Sequence, residues 1–212
     1  MPATDGWSWI STTPSVRVLA PSHDLRRYRL LRKHEDVSPP VVCWVGTSGN
    51  HPDLEIVRHP LCALVARGVV RFRVISDRGL DATEWPGAKW VAWSIEREVT
   101  ELASCDIGIM PLRDNERSRG RCGYKALQYQ AVGLPVVASP VGGAAEALCD
   151  GETGYFASSE DAWRGALVRL AGDTALRTRL GKAGRRRIEA RHCIHANAAR
   201  LASLLRDVSV SR

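Results

Sequence analysis

The sequence predicts an α/β domain: a parallel sheet with helices on both faces. Three observations carry the prediction. Apolar strand segments alternate along the chain with stretches of helical pattern. The loops between them are short and marked by glycine or proline. The first strong strand runs into a glycine loop and then a helix, the opening unit of a βαβ fold.

In chain order, residues 1–15 are turn-rich, 16–19 can form a short strand, and 26–40 is a charged segment ending in Ser38-Pro39-Pro40, a linker signature. The main domain begins at strand 41–45, followed by Gly46-Thr47-Ser48-Gly49-Asn50 and a helix over roughly 52–67. Strands follow at 69–75, 90–93 and 106–110. Ser94 is a candidate cap for a helix whose core face is Val99, Leu102 and Ala103. After Pro111 comes a polar loop, 112–119, and then a helix starting near Tyr124. Gly133-Leu134-Pro135 ends that helix, since glycine suits the left-handed cap and proline cannot continue the ladder. A buried strand at 136–138, a short helix at 144–148, a turn at 150–154 and a last strand at 155–157 complete the sheet. Ser158-Ser159-Glu160-Asp161 starts a helix to about residue 170, with further helices over 173–191 and 195–205. The run Arg185-Arg186-Arg187 is expected on a solvated face. Three segments result: 1–40 as tail and linker, 41–191 as the main domain, and 192–212 as C-terminal helix and tail.

With 212 residues, 44% of them hydrophobic, the chain can bury a substantial core. The +7 formal charge suits phosphate ligands or an anionic membrane surface. Aromatics do not interleave with the basic residues and no reading module is present, which argues against nucleic acid. Six cysteines without a CxxC pair signal neither a zinc site nor a disulfide framework. No segment has the length of a membrane span and the first residues lack signal-peptide character, so a cytoplasmic location is expected.

The chemistry concentrates between Gly120 and Gly143. A helix N-terminus with free N–H groups, flanked by Gly120, Gly123, Arg121 and Lys125, is a physically complete anion site. A surface loop with solvated arginines is the plain alternative. Gly46 and Gly49 mark a tight approach, or simply a strand-to-helix turn, because neither the dinucleotide glycines nor the P-loop lysine is present. In parallel sheets ligands bind beyond the carboxyl ends of the strands. The glycine loop, Ser94, Arg121, Lys125 and Gly142-Gly143 are therefore expected to converge on one crevice.

The motifs Asp106-Ile107-Gly108-Ile109-Met110-Pro111-Leu112, Arg119-Gly120-Arg121-Cys122-Gly123-Tyr124-Lys125, Gln128-Tyr129, Gly133 to Gly143, Glu146 and Asp150-Gly151-Glu152-Thr153-Gly154 share an order with a known family. The chain resembles the donor-binding, C-terminal half of GT-B-fold glycosyltransferases, and within them family 4 (group 1), over roughly residues 16–206. The resemblance implies a Rossmann-like domain that holds a nucleoside diphosphate sugar for retaining transfer. It places the diphosphate on the amides of Gly123, Tyr124, Gly46, Thr47 and Ser48, with Arg121 and Lys125 neutralising the leaving group. It sets the base near Trp93 and Ser94, gives Gln128 the ribose, and adds Gly120, Gly142, Gly143 and Glu146 to the donor contacts. No metal or other cofactor is implied.

The pattern also departs from the family. Gly120 and Gln128 stand eight positions apart where many members carry glutamates, and the basic pair usually found near the first glycine loop is missing. The resemblance implies that 16–28 is the end of an acceptor domain plus a linker, most of that domain being absent. Two outcomes follow: a truncated product that binds donor without transferring, or an enzyme completed by a separate acceptor-domain chain. A peripheral membrane contact fits a lipid acceptor. The competing functions are a non-catalytic assembly module and a GT-B sugar-nucleotide epimerase, for which Glu146 is the acid/base candidate. The absence of the dinucleotide fingerprint disfavours a dehydrogenase.

Overall fold

The computed structural model describes residues 19–29, 31–32 and 39–210. Among the described residues six strands form one sheet: β1 (Val41–Val45), β2 (Arg71–Ser76), β3 (Ala88–Ala92), β4 (Ile107–Met110), β5 (Val136–Ala138) and β6 (Gly154–Phe156). Their order across the sheet is β3-β2-β1-β4-β5-β6, and every pairing is parallel. The chain builds outward from β1 to β3, returns to the far side of β1, and builds outward again. The carboxyl ends of β1 and β4 thus flank the reversal point, where adjoining loops diverge and leave a crevice.

The strands lack a polar face because both sides of the sheet are covered. In β1, Val41, Cys43 and Val45 join one core and Val42 and Trp44 the other, the period of two expected of a strand. The first core includes α2 (Glu98–Ala103), α4 (Tyr124–Ala131) and α5 (Gly143–Ala147). The second includes α1 (Glu55–Ala66), α6 (Glu160–Gly172) and the start of α7 (Thr174–Arg191). A last helix, α8, spans Ile194–Val210. The expected α/β parallel sheet with helices on both faces is present.

Several boundaries differ from expectation. The helix after β1 opens as a 3-10 helix, Ser48–Leu54, before α1 begins. The polar loop 112–119 holds a single helical turn, α3 (Glu116–Arg119), with the Asn115 side chain accepting from Ser118 N at 2.9 Å. Ser94 does not cap α2, which starts four residues later with no side-chain cap. Its hydroxyl instead accepts from Arg97 N at 3.4 Å, and its carbonyl from Glu98 N at 3.0 Å. Ser159 and Asp173 do cap α6 and α7, and Gly133 takes the left-handed conformation that ends α4 (φ 81°). The strand expected at 16–19 lies outside the described residues except for Leu19, which is in no strand.

The arginine run on α7 is not simply solvated. The Arg185 guanidinium donates to the carbonyls of Tyr28 and Ala131, each at 2.6 Å. Arg187 donates to the Glu146 carbonyl at 2.6 Å; of the three, only Arg186 is exposed. A carbonyl left without a donor at the end of α4 attracts a cation from the neighbouring helix, and packing, not local pattern, brings Arg185 there. The segment before β1 is tied down as well. His23 N donates to His192 O at 2.8 Å, Ile194 N to His23 O at 3.1 Å, and Arg32 N to Val132 O at 2.8 Å.

Candidate donor cavity at the strand reversal

A cavity of about 520 Å³ opens at the carboxyl ends of β1 and β4. It is lined by Val45, Gly46, Thr47 and Asn50 after β1, by Asp77 after β2, by Met110 of β4, by Gly120 to Lys125, and by Trp93, Glu98 and Gln128. The crevice expected from the topology therefore exists and contains most of the expected residues.

Its charged wall is the start of α4. Gly123, with φ 70°, is the residue before the helix. The first backbone bond into the helix runs from Leu127 N to Gly123 O (3.4 Å). The amides of Gly123, Tyr124 and Lys125 precede that ladder and form the positive end of the helix. A side chain at position 123 would place its Cβ 2.4 Å from the Gly143 carbonyl oxygen. Gly142 and Gly143 do not line the cavity. Gly142 (φ 55°) and Gly143 pack their backbone against residues 118–122, and Gly143 N donates to Arg121 O at 2.7 Å. They are the support on which the loop rests.

Lys125 reaches across to β1. Its Nζ lies 4.5 Å from the centroid of a Trp44 ring, and a Cβ at Gly46 would come within 2.8 Å of it. No carboxylate pairs with it among the described residues. Burial, followed by repulsion from Arg121, lowers its pKa to about 8, against a smaller opposing pull from Asp53. Arg121 is held by the 3-10 helix: Nη1 donates to Asp53 Oδ2 at 2.7 Å and Nη2 to Asn50 Oδ1 at 2.8 Å. Both cations thus point toward the loop following Val45.

The amides of the glycine loop are only partly free. Gly46 N donates to Ile75 O (3.0 Å), and Ser48 gives both N–H (2.6 Å) and Oγ (2.8 Å) to the Asp77 carboxylate. Those bonds hold the Asp77 pKa below the usual carboxylate range. Ser48 does not line the cavity, and neither do Ser94 or the exposed Glu146 on α5. Thr47 and Gly120 do.

The far end of the cavity is organised by Glu98, in the first turn of α2. Its carboxylate, almost fully buried, accepts from Trp93 Nε1 (2.8 Å), from Tyr28 Oη (2.9 Å) and from Arg27 (3.0 Å). Gln128 Nε2 in turn donates to Tyr28 Oη at 3.3 Å. Trp93 and Tyr124 remain 45% and 42% exposed at the rim, and Tyr124 stacks on His23 with ring centroids 4.7 Å apart. Sequence reasoning does not assign Asp53 or Glu98 to the site: Asp53 pairs with Arg121, 68 positions away, and Glu98 joins Arg27 and Tyr28, 71 and 70 positions away, to nearby Trp93. Among the described residues no group of three His, Cys, Asp or Glu is arranged to hold a metal ion, and no helix is long and apolar enough to cross a membrane.

A family model described as "Glycosyl transferases group 1" matches residues 39–173. D-inositol 3-phosphate glycosyltransferases from Streptomyces avermitilis and from an Arthrobacter species are similar at 41% identity over 69 residues and 38% over 82. Those matches cover 32% and 38% of this chain but only 15% and 18% of the relatives, so the chain matches a small part of their length. Among solved structures, sucrose-phosphate synthase from Thermosynechococcus elongatus has a TM-score of 0.69 at 20% identity, covering 96% of this chain and 55% of that one. Anabaena HepE, in complex with UDP-glucose, has a TM-score of 0.71 at 14% identity, covering 90% and 57%. At those identities the structures establish a shared fold. With the family match spanning well over half of its residues, the chain belongs to the group 1 glycosyl transferases.

Proposed function

We propose that the cavity binds a nucleoside diphosphate sugar and that this domain is the donor half of a glycosyltransferase. The diphosphate lies over the amides of Gly123 to Lys125, between Lys125 and Arg121. The nucleoside extends toward Trp93, Glu98 and Gln128. The observation that carries the reading is Lys125: a half-buried amine without a carboxylate partner among the described residues, beside a helix N-terminus, in the crevice where this fold class places ligands. The solved relatives whose names include UDP or UDP-glucose support the choice of ligand class.

The chemistry follows from the same charges. When the bond between the sugar and the diphosphate breaks, negative charge grows on the leaving phosphate oxygen. Lys125, Arg121 and the helix amides oppose that charge from fixed positions, which lowers the barrier more than it strengthens ground-state binding. Retention of configuration belongs to this reading through the motif order alone. The exposed rim residues Trp93, Ile95 and Tyr124 meet the body that holds the acceptor, whether on the same or a separate chain.

UDP and GDP, titrated in a thermal-shift assay, test the reading. At least one raises the melting temperature, and Lys125→Ala abolishes the shift. No stabilisation by either nucleotide overturns it.

A further inference from the structure

A second, smaller recess of about 130 Å³ adjoins the cavity, between the 3-10 helix after β1 and α3. Arg113, Arg117 and Arg121 line it, with a single carboxylate, Asp53. Arg121 is paired with Asp53, and neighbouring Asp114 is taken by Arg119 at 2.7 Å. The guanidinium groups of Arg113 and Arg117 have no hydrogen bond or ion pair among the described residues, and both side chains are exposed. Three guanidinium charges against one carboxylate leave an excess of two positive charges. Ser118, at 1% exposure, also lines the recess, and its hydroxyl has no partner among the described residues.

We propose that this recess is a phosphomonoester site, serving a phosphate on the molecule that receives the sugar. The role in acceptor binding rests on the donor reading above; the anion site stands without it. A phosphomonoester carries a charge near −2 at neutral pH, the complement of the excess here. Unpaired guanidinium forks match its oxygens with paired hydrogen bonds. The recess has a quarter of the volume of the main cavity, room for a phosphate head and not for a nucleoside. Asn50 and Arg121 line both spaces, so a phosphate here sits directly beside the proposed diphosphate. The group could belong to a small soluble alcohol or to a lipid headgroup, which present the same chemistry.

Two probes separate these sources: glycerol 3-phosphate in calorimetry, and vesicles containing phosphatidic acid in flotation, each with and without UDP. Saturable binding of either supports the site; the soluble probe points to a soluble acceptor, vesicles alone to a lipid. The double variant R113A/R117A weakens that binding by about tenfold or more, from two lost charge-assisted contacts, and lowers UDP affinity distinctly less, since neither side chain lines the main cavity. R186A/R191A, which removes two exposed charges from α7, changes neither. The proposal is overturned if neither probe binds, if R186A/R191A weakens binding equally, or if UDP affinity falls in step in R113A/R117A. Phosphomonoester binding without UDP binding keeps the recess and removes the donor reading; the converse does the opposite.

Discussion

Raising the pH should weaken donor binding through Lys125, by an amount the structure sets. With its pKa lowered to about 8, the amine is about nine-tenths protonated at pH 7 and about one-tenth at pH 9. Only the charged form attracts a diphosphate, so apparent affinity scales with the competent fraction. The expected loss is about tenfold between pH 7 and pH 9, or about 1.4 kcal/mol. Calorimetry with UDP-glucose, whose diphosphate is esterified at both ends and has no proton to lose in this range, measures it directly. Repeating the titration in buffers of different ionisation enthalpy counts the protons taken up on binding, which should rise toward one above pH 8. Lys125→Arg keeps a charge that does not titrate there and should flatten the profile. Any ionisation of the base is common to both proteins, so the difference in slope isolates Lys125. Equal slopes in the two proteins, or no proton uptake by the wild type, would refute the assignment. The same burial acts on stability. A lysine whose folded pKa lies below its unfolded value destabilises the fold at low pH, and stability recovers as pH rises from about 8 toward 10.5.

Three further outcomes follow from particular contacts. Gly123→Ala combines a left-handed backbone with a 2.4 Å approach to the Gly143 oxygen, whereas Gly68→Ala has a similar φ of 66° and open space; urea unfolding should show a loss of about 1 kcal/mol for position 68 and at least about 2 kcal/mol for 123. Glu98→Gln removes the charge that Arg27 pairs with and one acceptor from the Trp93 and Tyr28 network; stability should fall by about 1–3 kcal/mol with weakened UDP-glucose binding, and an unchanged urea midpoint would contradict the role given to it. His23, buried against Tyr28 and Tyr124, has its pKa lowered to about 4, first by burial and then by His192 and Arg27. The unfolded chain binds that proton more readily, so stability should decline as pH falls from 6.5 toward 4, and His23→Phe should reduce the decline.

Much of this molecule is legible along the chain. The six strands and the longer helices around them follow from apolar runs, glycine and proline punctuation and, at α6 and α7, hydroxyl or acid caps, all short-range signals; the single turn α3 and the 3-10 opening before α1 do not. The start of α4, proposed above to hold the diphosphate, is equally local: Gly123 permits the turn, and Lys125 follows two residues later. That these features meet at the carboxyl edge follows from the parallel βαβ pattern. Three-dimensional packing alone decided the rest. Local pattern does not specify the strand order, which puts β1 beside β4 and opens the cavity between them. Nor does it show that Asp53 restrains Arg121, that Glu98 turns inward to gather Arg27, Tyr28 and Trp93, or that Arg185 closes the end of α4. The family resemblance, not local pattern, named Ser48 and Glu146 as donor contacts; packing gives the Ser48 N–H and hydroxyl to Asp77 and leaves Glu146 exposed. The physical reason is range. A cap or a turn is settled by atoms a few residues apart, whereas a buried charge is settled by whichever side chains packing brings beside it.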